Sequence, residues 1–193
     1  MQKLTLDTNC IIALENAEPA ADPLVALTRA HNQGKVELAL VGVSASERQR
    51  NDRFISNYGE FTSRVEASGL GDLQILACPA YWNISFWGVG LLTDQAMVAR
   101  EAEIHEALFP NIPFAWPDFA AAADLSVDDH TSAKAKPWRN AFCDRQMFWA
   151  HDYYQRDIFV TSDANFKKRL SRHPTFGQAR VHTPEEVVAL LSP

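Results

Sequence analysis

The sequence predicts an α/β protein: a central, mainly parallel β-sheet flanked by helices, with a helical and aromatic elaboration in the middle of the chain. Two observations carry this reading. Short β-prone runs recur along the 193 residues and are each followed by a segment of helical periodicity. The segments between runs are too long for hairpins, so successive strands are joined by crossovers and lie parallel, covered on both faces. With 47% hydrophobic residues the chain can bury one substantial core, so residues 1–193 are read as a single domain, with about 79–136 as an insertion within it.

The elements follow in order. Residues 2–6, QKLTL, form a strand ending at Asp7, and NCIIALE has the spacing of a short helix. Asp22 followed by Pro23 reads as an N-cap with proline at the first helical position, and that helix closes at Gly34. Residues 36–43 read as a buried strand, with helix from Ser44 to about Ser68 and a third strand over 73–79, stopped by its proline. A helix is expected over 93–108 and a short alanine-rich one in DFAAAAD. From Pro137 to Arg156 one long helix is expected, then the strand DIFVT, the short helix ANFKKRLS and the strand ARVHT. Thr183, Pro184 and Glu186 form a capping box before EVVALL.

Composition removes several function classes. Eighteen basic against twenty-four acidic residues give a net charge of −6, which argues against coating nucleic acid through bulk positive charge. Cys10, Cys78 and Cys143 are odd in number and widely spaced, the pattern of reduced core thiols and not of a disulfide frame or zinc site. No apolar leader region and no long uncharged apolar window is present. The expectation is a cytoplasmic protein with no membrane association.

Carboxylates are the chemistry-bearing residues. In an open parallel sheet, ligands bind beyond the carboxyl ends of the strands, where the strand order reverses. Asp7 ends the first strand, Glu47 is expected in the opening turn of the helix after the second, and Asp163 follows the run Ile158–Val160. Asp144 lies two turns into a helix antiparallel to that last strand and so overhangs the same edge, with Asp152 and Asp157 as rivals for the place. Four such acids repel one another unless a cation or a shared proton compensates them. Oxygen ligands without histidine or thiolate suit Mg2+ or Mn2+, as one or two ions, and the chemistry such ions support is phosphodiester hydrolysis.

In LDTN (6–9), SASE (44–47), CD (143–144) and VTSDANF (160–166), in that order, the chain resembles the PIN-domain ribonucleases. The resemblance covers roughly residues 1–78 and 137–191. It implies a central parallel sheet, an Mg2+ or Mn2+ site built from Asp7, Glu47, Asp144 and Asp163, and single-stranded RNA as substrate. It further implies that Asn9 supports the ligands, that Thr161 and Ser162 orient the site, and that Asn165 touches a ligand or bound water. Many compact members are toxins of toxin–antitoxin pairs, so candidate protein partners are an antitoxin and a second copy of this chain.

Basic residues flank the acids. Arg48 and Arg50, with Arg53, follow Glu47, and Lys167, Lys168 and Arg169, with Arg172, follow Asp163. They form either a track for the RNA backbone or solvated helix faces. His151 is expected to be a structural histidine and the cluster Asp128, Asp129, His130 a solvated loop. Trp82, Trp87 and Trp116 either stack on bases or pack beneath the insertion, packing being expected. The function expected is a metal-dependent endoribonuclease. The alternatives are a non-catalytic nucleic-acid-binding or protein-interaction module on the same scaffold, and a flap-type DNA nuclease.

Overall fold

In the computed structural model, residues 1–47, 54–55, 57–86 and 88–191 are described. The strands are β1 (Gln2–Leu6), β2 (Val36–Val41), β3 (Gln74–Leu76), β4 (Cys78–Pro79), β5 (Gly90–Leu91), β6 (Ile158–Val160) and β7 (Val181–His182). Five of them form one parallel sheet in the order β3-β2-β1-β6-β7, while β4 and β5 pair separately. The α/β class expected from the alternation of strands and helices is the one observed.

Strand alternation sends side chains to opposite faces and so divides the core in two. Leu4, Leu6, Leu38, Leu40, Ile158 and Val160 enter one layer. It is closed by α1 (Thr8–Glu15), α2 (Ala21–Asn32), α3 (Tyr58–Ala67) and α8 (Pro184–Leu191), which contribute Ile11, Leu24, Leu27, Phe61, Val65 and Val187. Ala39, Val41, Phe159 and Val181 enter the other layer. There α4 (Gln95–Leu108), α5 (Trp116–Ala122), α6 (Lys136–Tyr153) and α7 (Ala164–Leu170) pack. Helix α6 is the hub of this layer: Trp138, Phe142, Met147, Phe148 and Trp149 are all buried. That explains its unusual load of aromatic residues.

The mid-chain segment is bound tightly to α6. The Arg145 guanidinium donates to Glu101 Oε1 at 2.7 Å, with side chains 1% and 0% exposed. Gln146 Nε2 donates to the same oxygen and the Tyr81 hydroxyl to Oε2. Arg145 also lies against the rings of Phe114 and Phe142. A charge this deep is held only because its partner and its hydrogen bonds are buried with it.

Three expectations about boundaries are corrected. Asp22 does not cap α2: the cap is Ala20, with no side-chain bond, and Asp22 and Pro23 lie within the first turn. Proline is accommodated there because the first helical N–H groups have no intrahelical acceptor, and Asp22 still places negative charge at the positive end. The second strand ends at Val41, not residue 43, and Ser44–Ser46, expected to open a helix, lie instead in a 3-10 turn over Gly42–Ser46, while residues 48–53 and 56 of that expected helix lie outside the described residues. The next described helix begins only at Tyr58, capped by Asn57. Hydroxyls explain the difference: Ser44 Oγ accepts from Thr8 Oγ1 at 2.8 Å and Ser46 Oγ donates to the Ile84 carbonyl at 2.8 Å. Both tie the turn to other parts of the fold.

Among the described residues no helix is long and apolar enough to cross a membrane. All three cysteines are free and buried.

Candidate functional site

The chain runs outward from β1 to β2 and β3 on one side, then returns to β6 and β7 on the other, so the strand order reverses between β1 and β6. The carboxyl ends of these two strands flank the crevice where such sheets bind ligands. Asp7 directly follows β1, and Asp163 follows β6 after Thr161 and Ser162.

Asp7 is buried and fully engaged. Its Oδ1 accepts from the Thr8 backbone N–H at 2.7 Å as the N-cap of α1, and its Oδ2 accepts from Asn9 Nδ2 at 2.5 Å and Thr161 Oγ1 at 2.6 Å. These bonds favour the carboxylate, but burial outweighs them, and the charge of Asp163 adds to it. Asp7 is pushed up from 3.8 to about 6.

Thr161 and Asn9 lock the seam between the two strands. The Thr161 hydroxyl, donating to Asp7, accepts from Asn9 Nδ2 at 2.8 Å and from the Asp163 N–H at 3.0 Å. The Asn9 carbonyl oxygen accepts from the Ser162 N–H at 3.3 Å. Ser162 thus meets the site through its backbone. Asp163 caps α7 by accepting from the Asn165 N–H at 2.8 Å, and the Asn165 side chain is exposed. The amide hydrogen of Asn165, not its side chain, makes this contact.

Glu47 leaves the 3-10 turn in extended backbone, φ −75° and ψ 152°, and not in a helical turn as expected. It still reaches the same field. Burial first, then the charges of Asp7 and Asp144, raise its carboxyl well above the usual range, while the Thr8 hydroxyl and Arg64 pull the other way. Asp144, on the third turn of α6, is raised well above its usual range by burial, then by Asp7 and Asp163, with Arg169 opposing. The rivals for its place are committed elsewhere: Asp152 pairs with Arg100, and Asp157 accepts from the Lys3 N–H.

A residue that sequence reasoning missed supports Glu47. Arg139, one turn before Asp144 on α6, is buried and donates from Nε and an Nη to the Ser46 carbonyl at 3.2 and 2.8 Å. Burial lowers its pKa while the charge of Glu47 opposes that, and its guanidinium lies over the Phe54 ring at 4.8 Å. An arginine in an aromatic helix gives no signal of this in sequence, because its acceptor is a backbone carbonyl.

Asp7, Glu47, Asp144 and Asp163 therefore share one electrostatic field at one rim. In donor chemistry, an all-oxygen set of carboxylates fits a hard divalent cation. In spacing they do not form its cage: among the described residues no group of three or more His, Cys, Asp or Glu side chains stands where it could hold a metal ion.

The basic residues divide. Lys167 Nζ pairs with both oxygens of Glu186, at 2.8 and 2.9 Å, on the α8 side. Arg169 lies over the Phe109 ring at 5.0 Å and lowers the pKa of Asp144, so it borders the acids. Lys168 and Arg172 are exposed. Arg48, Arg50 and Arg53 lie outside the described residues, as does Trp87.

The other singled-out residues are structural or peripheral. His151 is buried, within 3.1 Å of Thr5 Oγ1, and burial pushes it down to about 4. Trp116 is buried, donates to the Val127 carbonyl and stacks near His130. Trp82, in contrast, is 82% exposed. Searches against models of known protein families and against curated proteins find no match for this chain.

Proposed function

We propose that this chain is a PIN-like, metal-dependent endoribonuclease that hydrolyses phosphodiester bonds of single-stranded RNA. The observation that supports this most is convergence: from four distant stretches of sequence, the charge of Asp7 raises the carboxyls of Glu47 and Asp144, that of Asp144 raises Glu47, and that of Asp163 raises Asp7 and Asp144, at the strand-reversal edge of a parallel sheet. A fold gains no stability from gathering repelling carboxylates, and strongly perturbed groups in a crevice mark functional sites.

In this reading the four acids would hold Mg2+ or Mn2+, which when bound polarises the phosphodiester and lowers the pKa of a coordinated water. The chain's own residues do the rest. Thr161 and Asn9 fix the Asp7 carboxylate, and Arg139 anchors the backbone beside Glu47. Arg169 and Lys168 offer positive charge to the RNA backbone next to the acids, a contribution that weakens with salt and carries no sequence preference.

One observation favours a second reading. The carboxylates are not spaced as a metal cage, as a non-catalytic nucleic-acid-binding module on the same scaffold would allow. One assay separates the two. Labelled single-stranded RNA is incubated with the protein and Mn2+, with EDTA, and with the variants Asp7→Asn and Asp144→Asn, alongside a DNA flap. The endoribonuclease reading expects Mn2+-dependent internal cleavage of RNA that EDTA and both variants abolish. Variants that cut as fast as the parent overturn it, and preferential cleavage of the flap transfers the site to DNA.

A further inference from the structure

A groove of about 560 Å³ has a lining that includes Tyr81, Trp82, Asn83, Ser85, Phe86 and Leu92. Its volume is in the range of small-ligand sites. Its described lining residues are uncharged, and Tyr81, Trp82 and Phe86 make it aromatic. Trp82 is 82% and Leu92 97% exposed. Large apolar side chains presented together on a surface mark interaction sites.

Trp82 is held outward by its backbone. The Tyr81 carbonyl accepts from the Ile84 and Ser85 N–H groups at 3.2 and 2.9 Å, and Ser85 Oγ accepts from the Tyr81 N–H at 2.9 Å. Asn83, at φ 60°, occupies the left-handed conformation that asparagine tolerates better than most residues. The resulting tight turn carries the indole at its start.

The groove and the acids hang on the same two elements. Ser46, the neighbour of Glu47, donates to the Ile84 carbonyl at 2.8 Å. The Tyr81 ring meets Phe142 of α6 edge to face with centroids 5.0 Å apart. A strand whose phosphate lay at the acids would therefore present a neighbouring nucleotide to an uncharged aromatic wall. An unpaired base matches that wall: it is planar, uncharged and polar at its edge, and Asn83 is among the lining residues.

We propose that this groove is a base-binding subsite that stacks an unpaired base of single-stranded RNA on Trp82. The inference rests on the RNA reading of the acidic rim and adds to it a determinant that requires an unstacked base, which a duplex does not supply.

The test measures binding without cleavage. Fluorescence anisotropy in EDTA compares a short single-stranded RNA, an abasic strand of equal length and charge, and a duplex, for the parent, Trp82→Ala, Trp82→Phe and Asp7→Asn. The parent should prefer the base-bearing strand over the abasic one about tenfold, the scale of one base–aromatic stack. Trp82→Ala should lose that preference with unchanged affinity for the abasic strand. Trp82→Phe should keep part of it, and Asp7→Asn should change affinity for the base-bearing and abasic strands by the same factor. A Trp82→Ala variant that retains the preference overturns the subsite, as does a parent that binds neither strand, or binds abasic or duplex RNA equally well. Failure of the nuclease reading appears separately, as base-dependent binding without Mn2+-dependent cleavage.

Discussion

The Thr161 hydroxyl donates to Asp7 Oδ2 at 2.6 Å, joining positions 154 residues apart across the seam between the two central strands. It accepts two further bonds there, from the Asn9 amide and the Asp163 N–H. Thr161→Val keeps the shape and removes all three. Because it strands buried polar groups, it should cost about 1–3 kcal/mol in urea unfolding. It should also push Asp7 further up, since a bond to the ionised form is lost. A change within a few tenths of a kcal/mol would show that the seam is held by other contacts.

Asp7 makes stability depend on pH in a defined direction. The folded state binds its proton more tightly than the unfolded chain, at about 6 against the ordinary 3.8. Its contribution is therefore full below about pH 4 and is lost as pH rises through 6, a difference on the order of 3 kcal/mol. His151, lowered to about 4, runs the opposite way, losing its contribution as pH falls through that value. Comparing the parent with Asp7→Asn in EDTA cancels His151. The variant should gain stability relative to the parent between pH 4 and 7. A difference that stays constant with pH refutes the assignment.

The buried pair Glu101–Arg145 should show strong non-additivity. Either Glu101→Leu or Arg145→Met alone strands a buried charge or its hydrogen-bond partners, at about 3–5 kcal/mol. The double variant strands neither charge and should be closer in stability to the parent than the Glu101→Leu single variant. Double-mutant analysis of chemical unfolding measures the coupling. Strictly additive losses would mean that the pair does not act as a unit.

Much of this architecture was legible from side-chain pattern. The Thr183–Glu186 capping box forms as expected, each partner bonding the other's backbone, and Gly34 ends α2 at φ 69°. Strand ends fixed the positions of Asp7 and Asp163, because alternation and crossover rules act locally. The 3-10 turn was not legible, since Ser44 and Ser46 are held by Thr8 and Ile84 from distant sequence. Nor were Arg139 and Arg145, whose partners are a carbonyl and a carboxylate on other elements. Periodicity reports which face is apolar, and it carries no record of a charge paired within that face. Trp82 reversed the expectation that the mid-chain tryptophans pack inward, because a tight backbone turn and not hydrophobicity sets its direction.

The most direct test is to soak crystals of the protein in Mn2+ and locate the anomalous scattering. A peak is expected at the rim bounded by Asp7, Glu47, Asp144 and Asp163, absent from Asp7→Asn crystals treated alike. A fully soaked crystal with no peak at that rim, or with one only at a distant surface site, would contradict that expectation.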